Sequence, residues 1–332
     1  MRENAVDRRI LIVFTAAVVI GGLNGVGVRL SNQELDFLWG AALRFALAAL
    51  LLFAVVALRR LALPRGRALL GSVLYGAIGF AAAYGLAYYG LVETPASVGM
   101  VILSLVPLLT LVLAVAHGLE RFRFQSLAGS LLALAGVALL FGERLTSTSD
   151  AIPLISLLAI VGAAVAIAET GVIVKRFPRP HPVVNNALAM GVGAVLLLAA
   201  TLVAGQAIEL PRRTETIAAL AYLVVIGSAG LFMLFLYIIE RWTASATSYM
   251  LLLMPLPAAV GGALLLGEPI TIGLVAGGAL TMLGVYIGAF APPLRVRLPA
   301  TRRAAAPAPA PALAAATAGE EGQPPLVIPG CP

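Results

Sequence analysis

Charged residues are scarce in this chain, at 11% of 332 residues, where a soluble protein carries about 25%. Cys331 is the only cysteine, and the only two histidines, His117 and His181, lie in different segments. A disulfide framework within the chain is therefore impossible, and zinc or haem chemistry gains no support. No glycine-rich loop leads to a lysine in Walker spacing, which disfavours an ATP-driven pump. We expect no metal and no cofactor.

Apolar residues, by contrast, dominate the composition. Hydrophobic residues make up 61% of the chain, and its mean hydropathy is +1.02. Helices that are apolar on every face suit lipid, because lipid tails are themselves apolar. Runs long enough to cross a bilayer fall at ten places: 10–28, 37–58, 68–91, 96–116, 126–141, 152–174, 183–204, 217–239, 244–266 and 272–290. The predicted fold class is an all-α membrane protein with ten transmembrane helices.

The basic residues indicate how these spans are oriented. A formal net charge of +7 does not predict a nucleic-acid partner, because lysine and arginine fall in short gaps between spans and form no single stripe. If the spans alternate from a cytoplasmic N-terminus, only Arg29, Arg144, Arg212 and Arg213 lie on the far side. This bias predicts a multi-pass protein of the cytoplasmic membrane with both termini in the cytoplasm. The first apolar run is too long for a cleaved signal peptide.

The two halves of the chain match each other at a shift of 148 residues, at which Pro107 coincides with Pro255 and Glu120 with Glu268. Proline and glutamate rarely coincide in one register by chance, so we interpret the halves as duplicated. Each copy holds five spans, an odd number, so the second must enter the membrane inverted, an arrangement that often encloses a transported solute. The same shift pairs Ala96-Ser97 with Ala244-Ser245, Gly129 with Gly277, Gly136 with Gly284, Tyr89 with Tyr237 and Gly79 with Gly227.

The repeat predicts five consecutive regions. These are a cytoplasmic N-terminus (1–9), a first five-helix repeat (10–142), a linker (143–151), a second five-helix repeat (152–291) and a tail (292–332). The tail contains an alanine-proline tract and has little apolar surface to bury, so we expect it to be disordered in the cytoplasm.

These features resemble the drug/metabolite transporter superfamily, specifically its EamA-type ten-helix members. The resemblance covers about residues 10–290 and implies two five-helix bundles, a central cavity and transport of small metabolites such as amino acids. The first span departs from the family pattern, because it reads Gly21-Gly22-Leu23-Asn24-Gly25 where relatives carry an early Trp-Gly. The motif residues are Thr94, Ala96-Ser97, Pro107, Glu120, Gly129 and Gly136, and in the second copy Thr243, Pro255, Glu268, Gly277 and Gly284.

Polar and aromatic residues inside the spans are candidates for substrate binding or coupling. Arg44 lies about 10 Å inside the second span, where a charge should face the protein interior or water; it could bind an anionic group or extend toward the surface. Glu169 is a candidate proton carrier, because a carboxylate in a low dielectric can titrate near neutral pH; alternatively it is hydrated near the interface. The full set is Asn24, Arg44, Tyr84, Tyr88, Glu169, Thr170 and Tyr249.

The other candidates carry open alternatives too. Asn24 and Thr170, which fall at related places in the first and sixth spans, either bind substrate or join helices. The tyrosines either line a cavity or anchor the interface.

Two matched pairs are candidates for hinge and structural roles. Pro107 and Pro255, predicted to lie in mid-span, are either hinges or static kinks. Glu120 and Glu268, at helix ends, are either structural residues that bond to loop backbone or a neighbouring arginine, which we expect, or proton carriers.

The predicted function is a secondary active transporter that moves a small, amino-acid-like metabolite by alternating access, driven by a proton or a counter-substrate. The alternative is an intramembrane lipid-modifying enzyme, but the spans hold no cluster of aspartate or glutamate of the kind acid–base catalysis needs. Expected partners are a small-molecule substrate, the lipid bilayer and, as a homodimer, a second copy of the chain.

Overall fold

The computed structural model describes residues 8–93, 99, 102–140, 153–258, 260 and 272–290, and every regular element within these residues is a helix. The first half contains five helical spans. Three are continuous or nearly so: α1 is Arg8–Ser31, α2 is Phe37–Leu58 and α5 is Phe124–Leu140. The third span, α3, runs through Arg67–Leu74, a π-helical segment Tyr75–Ala82 and Ala83–Glu93, and α4 includes Val106–Ala116.

The second half repeats this order of elements. Two continuous helices come first, α6 at Leu154–Arg176 and α7 at Pro182–Val203. The eighth span, α8, consists of Thr214–Val224, a π-helical segment Val225–Gly230 and Leu231–Arg241. The ninth, α9, includes the short helices Ala244–Ser248 and Met250–Leu253, and α10 consists of Ile272–Val285 with a π-helical end, Tyr286–Phe290.

The helices have the length and composition of membrane spans, which confirms the predicted all-α membrane fold. Among the described residues, six stretches are long and apolar enough to cross a bilayer: Arg8–Val28, Phe37–Leu58, Arg67–Gly90, Leu154–Arg176, Pro182–Val203 and Thr214–Arg241. Shorter apolar helices cover Val106–Ala116, Phe124–Leu139 and Val275–Phe290. The predicted linker and tail lie outside the described residues, and the predicted repeat boundaries stay predictions.

Helix packing has an exchange symmetry between the two halves. The helix α2 packs along α7, and α5 packs along α10. The helix α1 contacts α8 and the Met250–Leu253 segment of α9, whereas α6 contacts α3 and α4. Replacing each helix by its counterpart five positions along therefore converts every one of these contacts into another of them. Inverted repeats that face each other across a two-fold axis produce this pattern.

The matched glycines mark where that axis passes between α5 and α10. A Cβ atom on Gly129 would lie 2.6 Å from the carbonyl oxygen of Gly284, and one on Gly136 would lie 2.8 Å from that of Gly277. The four glycines thus let two antiparallel backbones touch. Midway between them, Thr281 Oγ1 lies 3.5 Å from the carbonyl oxygen of a residue 148 positions earlier, which equals the shift that relates the two sequence copies.

The glycine contact between α5 and α10 should not tolerate even one methyl group. A Cβ atom on Gly284 would lie 2.4 Å from the Ala133 amide nitrogen and 2.7 Å from the Gly129 carbonyl oxygen, both backbone atoms. We expect Gly284→Ala to destabilise the protein by about 1 to 3 kcal/mol, the usual cost of overpacking.

Thermal unfolding of the purified protein in detergent measures this effect, and Gly25→Ala is the matched control. Gly25 is also helical, but nothing lies within 4 Å of its would-be Cβ. The control should leave the unfolding temperature unchanged or raise it slightly, because alanine favours a helix. Equal unfolding temperatures for both variants would contradict the proposed close packing.

Candidate functional site

Arg44 lies inside the protein and contacts the π-helical segment of α8. It shares the buried face of α2 with Ala41, Phe45 and Ala48, which places its side chain against the helical core, and it is 3% exposed. Its Nε donates a hydrogen bond to Ser228 Oγ at 2.6 Å, and its Nη2 donates one to the Gly227 carbonyl oxygen at 2.8 Å. The side chain therefore does not extend to the surface.

Asn24 meets Arg44 at the same carbonyl oxygen. Its Nδ2 donates to Gly227 O at 2.9 Å, so donors from α1 and α2 converge on one acceptor in α8. A π-helical turn displaces the regular backbone hydrogen bonds, and a carbonyl oxygen shifted in this way can accept bonds from side chains. The missing side chain of Gly227 allows the approach, because a Cβ there would lie 2.1 Å from Asn24 Oδ1. That Oδ1 atom is buried and accepts no hydrogen bond from the described residues.

Aromatic rings pack against one another beside Arg44. Tyr84 and Tyr88 lie one helical turn apart on α3, and the ring of Tyr84 packs edge-on against Phe45 with 4.9 Å between centroids. Phe80, which is fully buried, bridges Phe45 and Phe232 with centroid separations of 4.9 and 4.6 Å. We name the group formed by Asn24, Arg44, Phe45, Phe80, Tyr84, Tyr88, Gly227, Ser228 and Phe232 the arginine cluster.

Thr170 occupies the position related to Asn24 in the other repeat. It packs on Gly79 of the first π segment, where a Cβ would lie 2.9 Å from Thr170 Oγ1. The two contacts are twins, since Gly79 and Gly227 match at the 148-residue shift. Thr170 Oγ1, however, donates to Ala166 O in its own helix at 2.8 Å. The polar convergence therefore exists on one side of the pseudo-symmetric pair only.

Glu169 lies near His117 and takes part in none of the contacts described above for the arginine cluster. Its Oε1 is 3.6 Å from His117 Nε2, with side chains 25% and 28% exposed respectively. The other ring nitrogen of His117, Nδ1, lies 2.9 Å from Leu113 O. This separation is longer than a direct hydrogen bond and within the range of an ion pair.

Glu120 joins the two repeats at the end of α4. Its carboxylate accepts the Ser245 backbone N–H at 3.1 Å and also the Ser245 hydroxyl. These contacts satisfy groups at the start of α9. We call this link between Glu120 and Ser245 the Glu120 cap. A pocket of about 270 Å³ lies beside it, and the residues that line the pocket include Arg121, Arg123 and Thr243. The matching Glu268 lies outside the described residues.

The two prolines stand after breaks in their helices. Pro107 is in the first turn of Val106–Ala116, and Pro255 follows a turn at Met254. A proline at a helix start loses no backbone hydrogen bond. The sequence predicted both prolines in mid-span, whereas each lies at the start of a helical segment that follows a turn, and the apolar pattern alone does not reveal these turns. Their hinge role stays a prediction.

Tyr249 is held by α5. It is 1% exposed, its hydroxyl donates to Ser126 O at 2.8 Å, and Ser130 Oγ lies 2.8 Å away. A Cβ on Gly288 would lie 2.1 Å from this hydroxyl, so the ring fills the space beside the π-helical end of α10. These contacts connect helices and do not bring Tyr249 to the arginine cluster.

A group of loop contacts was missed in the sequence. Backbone N–H groups of Arg212 and Arg213 donate to the Glu34 carboxylate at 2.7 and 3.2 Å, and the hydrogen bond from Arg212 N–H is the main cause of a lowered Glu34 pKa. Ala207 N–H donates to Asp36 at 2.9 Å. This loop link joins α1–α2 to α7–α8. The sequence did contain a signal for this link, which was charge. The loop between α1 and α2 carries acidic residues, and the loop between α7 and α8 carries Arg212 and Arg213.

Comparison with known proteins identifies the family. The EamA-like transporter family matches residues 8–142 and 154–289, once in each half of the chain. A transporter of Archaeoglobus fulgidus is 26% identical over 83% of this chain and 97% of its own. A protein of Streptantibioticus cattleyicolor named as a probable terminal-alkyne amino-acid exporter is 30% identical over 80% of this chain and 85% of its own.

One further relative is also named a transporter, and a solved structure shares the fold. YedA of Escherichia coli K12, named an uncharacterized inner membrane transporter, is 27% identical over 70% of this chain and 76% of its own. A solved crystal structure superposes with a TM-score of 0.73 at 18% identity, covering 84% of this chain and 96% of that one. The chain therefore belongs to the EamA-like transporter family and is a membrane transporter, as its motif residues had indicated.

The lowered Glu34 pKa gives a pH test of the loop link. The pKa lies below its ordinary value of 4.5, so the charged form that accepts the bonds persists above that pH and is lost as pH falls through the lowered pKa. Trp39 reports on the link, because its Nε1 donates to Glu209 O at 2.6 Å. In a Trp242→Phe background, Trp39 emission should stay constant from neutral pH to about 5 and change only in stronger acid.

Glu34→Gln should shift the neutral-pH emission of Trp39 toward the acid form and reduce the change seen on acidification. Glu209→Gln is the matched control, because among the described residues only its backbone joins the link. Superimposable titration curves for Glu34→Gln and the parent would show that Glu34 does not hold the loops together.

Proposed function

We propose that this protein is a secondary active carrier that moves a small metabolite by alternating access. The exchange symmetry of helix packing supports this proposal most strongly. Two similar halves that face each other in inverted orientation can swap conformations, and such a swap exchanges which end of the central region is open. A static anchor or receptor has no need of that symmetry.

Two links between the repeats suit the closing of opposite ends. The loop link joins α1–α2 to α7–α8, and the Glu120 cap joins α4–α5 to α9. Three spans separate the two linked loops of the first repeat, an odd number, so the links stand at opposite faces of the membrane. In alternating access one link opens while the other holds.

Orientation and assembly are part of the same proposal. The basic residues of the short loops favour both termini in the cytoplasm. YedA is named an inner membrane transporter, which favours the cytoplasmic membrane as the location of the present protein. We propose a homodimer as its assembly, which light scattering of the purified protein in detergent tests.

Transport into proteoliposomes tests the function directly. The panel should contain amino acids, amines, monocarboxylates, sugars and nucleosides, each with and without an imposed pH gradient. Amino acids are included because one relative is named as a probable amino-acid exporter. Saturable transport of at least one class of compound supports a carrier. If sealed vesicles that contain correctly folded protein transport none of these classes, the carrier function is contradicted.

Glu169 is the proposed proton-coupling group, and His117 is its partner. Glu169→Gln cannot change charge, so flux driven by a pH gradient should fall to the level without a gradient, while exchange of substrate at equal pH continues. Glu240→Gln is the matched control, because Glu240 pairs with Arg241 at 3.5 Å and its side chain is 34% exposed. Gradient-driven flux that survives Glu169→Gln would assign coupling elsewhere or to a counter-substrate.

A further inference from the structure

Arg44 is a buried cation, and no acidic group in the described part of the chain balances its charge. It is 3% exposed, and none of the described residues offers it a carboxylate partner. Its hydrogen bonds go to a carbonyl and a hydroxyl oxygen, both neutral. An unpaired charge in the interior of a membrane protein is costly and typically marks a functional site. The opposite charge is therefore expected from something that binds there.

The guanidinium also has donors to spare. Of its five N–H groups, the two hydrogen bonds occupy one on Nε and one on Nη2. The remaining donors can hold a planar carboxylate, which matches the geometry of a guanidinium. A single carboxylate neutralises the single positive charge, whereas a doubly charged phosphate would leave a buried excess of negative charge.

The neighbouring groups define the rest of the ligand. Asn24 Oδ1 is buried, accepts no hydrogen bond from the described residues and belongs to the side chain that shares Gly227 O with Arg44. A buried acceptor of this kind calls for a donor, such as an amino or hydroxyl group next to the carboxylate. The Phe45 ring lies 5.1 Å from Arg44 Cζ and packs against Tyr84, which is followed by Tyr88, so these rings offer an apolar wall near the guanidinium.

The charge is a departure from the pseudo-symmetry of the fold. Arg44 has no charged counterpart in α7, because Pro182–Val203 contains no charged residue; the 148-residue shift pairs Arg44 with Val192. Ala189 is fully buried against the first π segment, where a Cβ on Gly76 would meet its carbonyl oxygen at 2.5 Å. Packing of a helix against a π segment thus needs no arginine. The hydrogen bonds of Arg44 to Gly227 and Ser228 therefore do not by themselves account for a buried charge at this position.

We propose that Arg44 binds the carboxylate of the transported solute, a small monocarboxylate with an apolar body and a hydrogen-bond donor beside the carboxylate that reaches Asn24. This inference rests on the carrier function proposed above and names its substrate class. The ligand displaces none of the Arg44 bonds to Gly227 and Ser228, which orient the guanidinium. Tyr84 and Tyr88 pack against its apolar body.

Binding of four related probes to the purified full-length protein tests the assignment. The probes are L-phenylalanine, 3-phenyllactate, 3-phenylpropionate, which lacks the adjacent donor, and 2-phenylethylamine, which lacks the carboxylate. 3-Phenyllactate, which brings one negative charge and a neutral donor, should bind most tightly. L-phenylalanine, whose ammonium adds a second positive charge, and 3-phenylpropionate should bind more weakly, and 2-phenylethylamine at least roughly ten-fold more weakly than 3-phenyllactate. Equal binding of 2-phenylethylamine, or no binding of any carboxylate, overturns the proposal without the need for a variant.

Substitution of the arginine provides the second arm. Arg44→Gln should weaken binding of 3-phenyllactate by roughly ten- to a hundred-fold and leave 2-phenylethylamine unchanged, while Arg44→Lys, which keeps the charge, should recover part of the loss. Arg241→Gln is the matched control, because that arginine is exposed and bonds to Tyr237 O. Unaltered binding of the carboxylates to Arg44→Gln would remove Arg44 from the site.

The two proposals fail separately. If proteoliposomes transport an amine or a sugar but no monocarboxylate, the carrier function stands and the Arg44 assignment falls. If the monocarboxylates bind but nothing on the panel crosses the membrane, the site stands and the carrier function falls. Transport of L-phenylalanine that Arg44→Gln slows, with Arg241→Gln unaffected, supports both.

Discussion

A backbone carbonyl inside a membrane protein must find a donor, because no bulk water is present to supply one. At Gly227 the π-helical turn of α8 presents such a carbonyl, and Asn24 and Arg44 both donate to it. One irregular turn thereby draws α1, α2 and α8 together and brings a guanidinium into the interior. The polar chemistry of this protein follows from how that turn is satisfied.

The same constraint recurs at the end of α10. Its π-helical segment presents the carbonyl oxygens of Ile287 and Gly288, which accept from Gln125 Nε2 at 3.1 Å and Ser126 Oγ at 3.2 Å. Here the donors come from α5, and the nearby Tyr249 adds another bond to that helix. The two π-helical segments thus have different roles. The segment of α10 holds helices together, and the segment of α8 also binds the guanidinium of Arg44.

Some features of the fold occur in both halves, and others are described in one half only. The glycine crossing of α5 and α10 and the twin contacts of Asn24 and Thr170 with glycines keep the two halves alike in packing. The arginine cluster and the Glu169–His117 pair have no equivalent described in the opposite half, since α7 contains no charged residue to match Arg44. An alternating-access frame needs the likeness, whereas recognition of one chemical group needs only one copy of its ligand-binding residues.

The sequence by itself determined the membrane class, the ten spans and the duplicated register, because all-round apolar runs have one stable solvent and because matched proline, glutamate and glycine survive as letters in the chain. It also singled out Arg44 from the cost of burying a charge. Only the tertiary structure decided what Arg44 touches, that Glu34 ties two loops and that Pro107 begins a helical segment. Those facts depend on π turns and contacts between residues more than 150 positions apart, which no local periodicity records.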